Sequence, residues 1–275
     1  MTIKDILVGL ATRQDADPAR DYALKMASHY RAHVTGLAYA LAPDVPFSVY
    51  PAFVSGLAEE YRAQANKVVA GVRARFEQAA RAAAVEHGFE TRTCSVQSAI
   101  ADFAFRLRTA DLGVVMQHKA EEMDSFGDMF LESALFQAGR PIVVVPREFQ
   151  GPFSLDRVLI AWDASLHATR AVAAAAPLLT AGATIEVYTA EEASKGSSLR
   201  GSALVQNLRR HGLDAVLAER QDRDIPEAIL REIESFRATL VVMGGYGHSR
   251  FRQFVFGGAT RLMLSRMPVP VLMAH

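Results

Sequence analysis

The feature that constrains this chain most is a pattern that occurs twice. Apolar runs of strand length alternate with segments of helical spacing, and the series restarts near the middle. "DILVGLA" (5–11) is matched by "RVLIAWD" (157–163), and each precedes an alanine-rich helix, over 17–31 and 166–181. "HVTGLAYAL" (33–41) and "ATIEVYTA" (183–190) come next, then "TRTCSVQ" (91–97) and "DAVLAERQ" (214–221). "LGVVM" (112–116) corresponds to "LVVMG" (240–244), and "PIVVVP" (141–146) to "VPVLMA" (269–274). Near-continuous Val/Ile/Leu runs between helices indicate parallel strands buried on both faces. The expected fold is therefore α/β, with two tandem open-sheet domains of the β-α-β-α kind. Residues 1–150 form the first and 151–275 the second, divided at the polar, turn-rich "REFQGPFSLDR" (147–157).

Composition narrows the function classes. The chain has 275 residues, half of them hydrophobic, which suits two small cores. Thirty basic residues balance thirty acidic ones, so no overall field favours nucleic acid or an anionic membrane. The single cysteine, Cys94, excludes an internal disulfide framework and any multi-cysteine metal site. Its place in a strand suggests an inert buried thiol. No apolar run is long enough to span a bilayer, and "MTIKDILVGLAT" reads as a first strand rather than a signal peptide. The expected location is cytoplasmic.

The halves differ in their middles. Residues 43–60 carry Pro43, Pro46 and Pro51 before a long helical stretch that runs to about residue 87. The second half has only "ASKGSSLRGSALVQNLRRHG" (193–212) there, whose start reads equally as a mobile loop or a plain connector. One helix start is well specified: in "DIPEAILREIESFRA" (224–238), Asp224 caps, Pro226 fits the first turn and Glu227 follows three residues after the cap. Ile225, Ile229, Ile233 and Phe236 then form an apolar stripe for the sheet.

"GGYGHSRFRQFVFGG" (244–258) is the segment with most chemistry. It leaves a buried strand and leads to "ATRLMLSRM", which reads as a helix. Glycine lets a ligand approach the main chain, and the free N–H groups of a helix start attract anions. His248, Arg250 and Arg252 could add positive charge. A glycine-rich turn into a helix, with solvated arginines, is the plainer reading. Neither G-x-x-x-x-G-K-[ST] nor G-x-G-x-x-G is present, which disfavours a P-loop NTPase and a Rossmann dehydrogenase.

The spacing Gly244-x2-Gly247-x9-Gly257 resembles the nucleotide-binding signature of the universal stress protein family, G-x2-G-x9-G-[ST]. "VLIAWDAS" (158–165) resembles that family's first strand and aspartate, and "VPVLMAH" its closing strand. The second half resembles the family end to end; the first resembles it in strand order and length only. The resemblance implies a five-stranded parallel sheet of order 3-2-1-4-5 in each half, with helices on both faces. It implies an adenine nucleotide, ATP above all, as ligand and partner, with the presence of magnesium left open. Asp163 would contact the adenine or ribose edge, Ala161 would line the base pocket, and Ala190 would meet the base through its backbone. Met243 and Gly244 would flank the nucleotide, while Gly247, Gly257, Gly258, Ala259 and Thr260 would surround the phosphates. Gly258 stands where the signature has Ser or Thr, so one hydroxyl ligand is lost. Asp163 could instead cap the following helix.

Laid against the second half, the first has Ala11 for Asp163, Met116 for Gly244 and Lys119 for Gly247. Asp128, Met129 and Phe130 fall near Gly257 and Gly258. The plan is built there without the glycines, so folding by itself is not expected to demand them, and no comparable pocket is expected in that half. In related single-domain proteins the last strand pairs two subunits. "PIVVVP" and "VPVLMAH" could pair within this chain as a pseudo-dimer, with a homodimer of two chains also open. His29 and His33, four apart, lack a third metal ligand, and no G-x-S-x-G elbow or oriented nucleophile–base pair is present. No dedicated catalytic activity is expected, at most slow ATP hydrolysis. The functions left are a nucleotide-dependent stress sensor or regulator and an interaction scaffold of the same fold.

Overall fold

The computed structural model describes residues 2–12, 16–41, 51–117, 126–180, 182–191, 198–245 and 258–275. Its first half runs β1 (Asp5–Gly9), α1 (Pro18–Tyr30), β2 (His33–Leu41), α2 (Pro51–Ala82) and β3 (His87–Cys94). It continues through α3 (Val96–Leu107), β4 (Leu112–Met116), α4 (Phe126–Gln137) and β5 (Ile142–Val145). The second half repeats the series: β6 (Arg157–Ala161), α5 (Leu166–Ala175), β7 (Thr184–Glu191), α6 (Ser198–Arg210) and β8 (Asp214–Gln221). It ends with α7 (Ile225–Phe236), β9 (Leu240–Gly244), α8 (Gly258–Arg266) and β10 (Val271–Ala274).

The strands form one ten-stranded sheet in the order β3-β2-β1-β4-β5-β10-β9-β6-β7-β8. Each half therefore has the order 3-2-1-4-5, with every pair inside a half parallel. The halves meet where β5 and β10 run antiparallel. Val143 lies opposite Leu272, with Val144–Val271 and Ile142–Met273 on either side. Joining the two last strands removes two open edges from the middle of the sheet. The central strands are buried on both faces, as their unbroken apolar runs require.

The pairing registers show which residues correspond. Ile6 pairs with Leu112 as Val158 pairs with Leu240. Counting on from these pairs, Ala11 matches Asp163 and Met116 matches Gly244, as expected from the sequence. Two cores, one on each face, hold the helices. One contains Ala171 and Ala175 of α5, and the other contains Met263, Leu264 and Met267 of α8.

Several boundaries differ from the sequence reading. The third strand ends at Cys94, because Ser95 caps α3 by accepting from the Ser98 N–H and draws Val96 and Gln97 into the helix. The long helix α2 ends at Ala82, and α5 ends at Ala175 rather than 181. Asp224 does cap α7, accepting from the Glu227 N–H at 3.2 Å. The Glu227 side chain turns away from the cap, however, and pairs with Arg266 of α8 at 2.5 Å.

The segment joining the halves is held by α1. Phe153 packs edge-on against Tyr22 and Tyr30, the Lys25 ammonium donates to the Gly151 carbonyl at 3.0 Å, and the Tyr30 hydroxyl donates to the Leu178 carbonyl at 2.9 Å. Gln117, just after β4, makes a second tie: its side chain accepts from the Arg147 N–H and donates to the Leu264 carbonyl in α8.

Candidate functional site

In the second half, β6 and β9 are neighbours whose connections leave toward opposite faces. The chain after β6 enters α5, which lies on the first core, and the chain after β9 reaches α8, on the second. In an open α/β sheet this reversal opens a crevice at the carboxyl ends of the two strands. Ala161 ends β6 and pairs across the sheet with Met243 on one side and Tyr188 on the other. Ala190 lies two residues beyond Tyr188, as Asp163 lies two beyond Ala161. Ala161, Ala190 and Met243 are all half-buried against the same core that seats α8. Two of the three, Ala161 and Ala190, carry only a methyl group.

Asp163 is exposed at the rim. It is not the cap of α5. Ser165 takes that place, its hydroxyl accepting from the Ala168 N–H at 3.1 Å. Asp163 instead accepts from the Ser165 N–H at 2.9 Å, which holds its carboxylate beside the helix entry. Ala164 between them is left-handed, with φ at 59°. For a residue with a Cβ that conformation costs about 1–2 kcal/mol. The turn therefore places a carboxylate at the crevice mouth at some cost in backbone strain.

Gly244 has a steric reason that the sequence comparison missed. A Cβ on it would lie 2.5 Å from the Ala168 nitrogen and 2.7 Å from the His167 carbonyl carbon. The start of α5 passes that close because only residues 162–165 separate β6 from α5, whereas residues 10–17 separate β1 from α1. The expectation that folding does not demand these glycines is thus corrected at Gly244: the short connection demands it. Gly245 continues the strand, its N–H donating to the Ala274 carbonyl at 3.0 Å.

Gly247, His248 and Gly257, with Arg250 and Arg252, lie outside the described residues, as does the start of the 193–203 segment. Gly258, Ala259 and Thr260 form the first turn of α8, on the face that carries Ala161 and Met243. Their backbone N–H groups belong to the unsatisfied set at any helix start and carry its positive dipole end.

The model of the universal stress protein family matches residues 154–275. The second half of the chain is thus similar to the universal stress protein family. A universal stress protein of Synechocystis sp. is 25% identical over 168 residues, which span 59% of this chain and 58% of that relative's length. A universal stress protein from Archaeoglobus fulgidus DSM 4304 shares the fold over 99% of this chain and 96% of its own, with a TM-score of 0.77 at 15% identity. A functionally unknown protein from Pseudomonas aeruginosa PAO1 does so over 99% and 92%, with a TM-score of 0.60 at 16% identity. At these identities the two structures speak for the fold alone.

The family-like crevice has a filled counterpart in the first half. There the floor position is Gly9, and a Cβ on it would lie 3.4 Å from the Phe103 ring and 3.5 Å from the Phe130 ring. Phe103 and Phe130 pack with centroids 4.3 Å apart, and Tyr39 meets Phe130 edge-on at 6.3 Å. All three are buried. Phe130 falls within a residue of the position of Gly258, so a buried aromatic ring stands where the second half has a glycine. The Tyr39 hydroxyl donates to Asp102 at 3.0 Å, and Asp102 also pairs with Arg106 and Arg92. Beside the position of Asp163, the buried Asp17 closes on its own loop, accepting from the Ala11 and Arg20 N–H groups. Lys119 and residues 121–125 lie outside the described residues.

The remaining candidates separate. His29 faces Phe153 and Tyr30 from α1, while His33 faces Asp5 from β2, so they do not share a helical face. Among the described residues no cluster of three or more ligating groups forms. Cys94 is only half-buried, in a charged edge strand, which corrects its reading as a buried core thiol. Burial and the nearby Asp102 still push its thiol pKa up, away from a reactive thiolate. Trp162 packs on the face opposite Ala161, as alternation requires.

One pair of residues at the crevice was not foreseen. His167, at the start of α5, stacks on His275 with centroids 4.1 Å apart, next to the closest approach of α5 to Gly244. Burial, then His167 and Arg170, hold the His275 imidazole below its usual pKa. Separated by more than a hundred positions, the two carry no spacing signal in the sequence. Among the described residues no helix is long and apolar enough to cross a membrane.

Proposed function

We propose that the second half binds an adenine nucleotide, ATP above all, in the crevice between β6 and β9, and that the chain acts as a nucleotide-dependent sensor or regulator in a cytoplasmic stress response. Residues 1–150 and 151–275 are read as two domains, of which the second carries the nucleotide and the first supports it. The observation that supports this best is convergence. Asp163, Ala161, Ala190 and Met243 surround the carboxyl ends of two strands, and the first turn of α8 lies on the same face. A base would lie over the alanine floor with its edge or ribose toward Asp163, and phosphates would meet Gly247, His248, Gly257, Gly258, Ala259 and Thr260. Gly258 offers an N–H without the hydroxyl of the family signature.

Among the described residues no nucleophile and base come together, and binding is the role proposed. The missing hydroxyl at 258 and the filled first-half crevice favour the second reading, an interaction scaffold without nucleotide. Mass spectrometry of the denatured purified chain for co-purifying nucleotide, followed by calorimetric titration with ATP, separates the two. The first reading expects binding below millimolar concentration, weakened by Asp163→Ala and Gly257→Val and unchanged by Ala11→Val. No adenine nucleotide bound at millimolar concentration would leave the scaffold.

A further inference from the structure

β7 carries a carboxylate where its neighbours are apolar. Glu186 lies between Ile185 and Val187, both fully buried, in a strand paired on both sides. Its Oε1 is buried and has no hydrogen-bond partner among the described residues. Glu186 is itself half-buried, and Glu232 of α7, 7% exposed, lies close enough that its charge raises the Glu186 carboxyl.

The charges around this pair are few. Arg220 reaches in from β8, its Nε 3.8 Å from the Glu232 carboxylate, but it is 58% exposed and therefore weakened by solvent. Arg157 of β6 is committed to α7: its Nε donates to the Phe236 carbonyl and its guanidinium lies 4.2 Å over the Phe236 ring. Arg231, one residue before Glu232, pairs with Asp222. Tyr188, two residues along β7, has its phenol pushed up by burial and then by Glu232. Arg220 and Arg157 both favour ionisation of Glu186, but burial and the Glu232 carboxylate outweigh them, so the two acids cannot both ionise cheaply. Burial, and then Glu232, lift the Glu186 carboxyl to about 7.

In the first half, Thr35 and Phe103 take these two positions, counting from the pairing of β2 with β1 and from the caps at Ser95 and Asp224. The acids are therefore not a requirement of the fold. We propose that Glu186 and Glu232 hold one shared proton across the β7–α7 seam, and that losing it above neutral pH loosens α7 from the sheet. The pair then acts as a proton-operated catch on the second half. α7 also holds α8 through Glu227 and Arg266, so release of α7 reaches the helix that borders the crevice. The catch does not depend on what the crevice binds.

The sign follows from the raised carboxyl. Its folded value, about 7, lies above the ordinary glutamate value of 4.5. The stabilisation is complete below the unfolded value and is lost as pH rises through the folded one. Urea unfolding of the full chain between pH 5 and 9 reads this directly. Between pH 5 and 8 the folding equilibrium of the natural chain should fall by about tenfold or more relative to Glu186→Gln. The variant should match the natural chain at pH 5 and exceed it at pH 8. Carbon-13 carboxyl resonances of the natural chain, which need no variant, should include one glutamate titrating near neutrality. At pH 8, α7 amides should be less protected from hydrogen exchange than in Glu186→Gln, with β10 unchanged. Identical pH slopes for the two chains, all glutamate carboxyls titrating below about pH 5.5, or equal α7 protection would overturn the proposal.

Discussion

The same crevice is built twice in this chain and treated in opposite ways. In the first half, Phe103, Phe130 and Tyr39 close over Gly9, and Asp17 turns inward to hold its own loop. In the second, alanines line the floor, a carboxylate stands at the rim, and a glycine begins the helix on the far side. Strand order, registers and helix faces agree between the two. Topology thus supplies a place where a ligand can bind, while a few side chains decide whether it is open or occupied by the protein itself.

The comparison can be broken most severely at the aromatic cluster. Phe103→Ala should destabilise the chain by about 3–5 kcal/mol, because a fully buried ring leaves a cavity. Urea unfolding measures it, and a cost under about 1 kcal/mol would mean that the rings merely cover a loose crevice. Phe130→Ala should cost less than Phe103→Ala and should not create nucleotide binding, since the glycine loop is absent from that half. Gly244→Ala comes next. Its new methyl meets backbone rather than a flexible side chain, so about 2–3 kcal/mol should be lost. Lengthening the 162–165 connection should recover part of that loss, and failure to do so would remove the steric account of Gly244.

Smaller effects sharpen the same contrast. Asp163→Ala should weaken adenine nucleotide binding by about tenfold, near 1.4 kcal/mol, while unfolding stability stays within about 0.5 kcal/mol. Equal losses in both would make Asp163 a structural residue. Ser165→Ala should cost about 1 kcal/mol through the lost cap of α5, read by thermal unfolding. Gln117→Ala should cost about 1 kcal/mol by removing one hydrogen bond between the halves and one to the start of the joining segment. Its effect should appear as faster amide exchange at the β5–β10 seam.

Much of this was legible in the residues. Repeated Val/Ile/Leu runs, too short for a core helix and bounded by turns, define buried parallel strands wherever they occur. Asp224, Pro226 and the apolar stripe behind them define α7 through local backbone chemistry. Each of these signals lies within a few residues of the structure it specifies.

What escaped the sequence depends on distance. Val96 and Gln97 read as strand because β-branched propensity was visible, whereas the cap at Ser95 outweighed it. Glu227 looked like half of a capping box until Arg266, 39 residues on, took its carboxylate. Gly244 looked dispensable because Met116 occupies its register, but a shorter connection brings the backbone of α5 against it. Glu186 and Glu232, or His167 and His275, become neighbours only when β7 meets α7 and α5 meets β10. Sequence by itself determined the order of elements and their apolar faces, since these follow from local propensity and apolar period. The place where the sheet reverses was implied only by the family resemblance. Only the tertiary structure decided which crevice is full, which glycine is indispensable and which two acids must share a proton. Those outcomes are set by contacts between segments that the chain order keeps far apart.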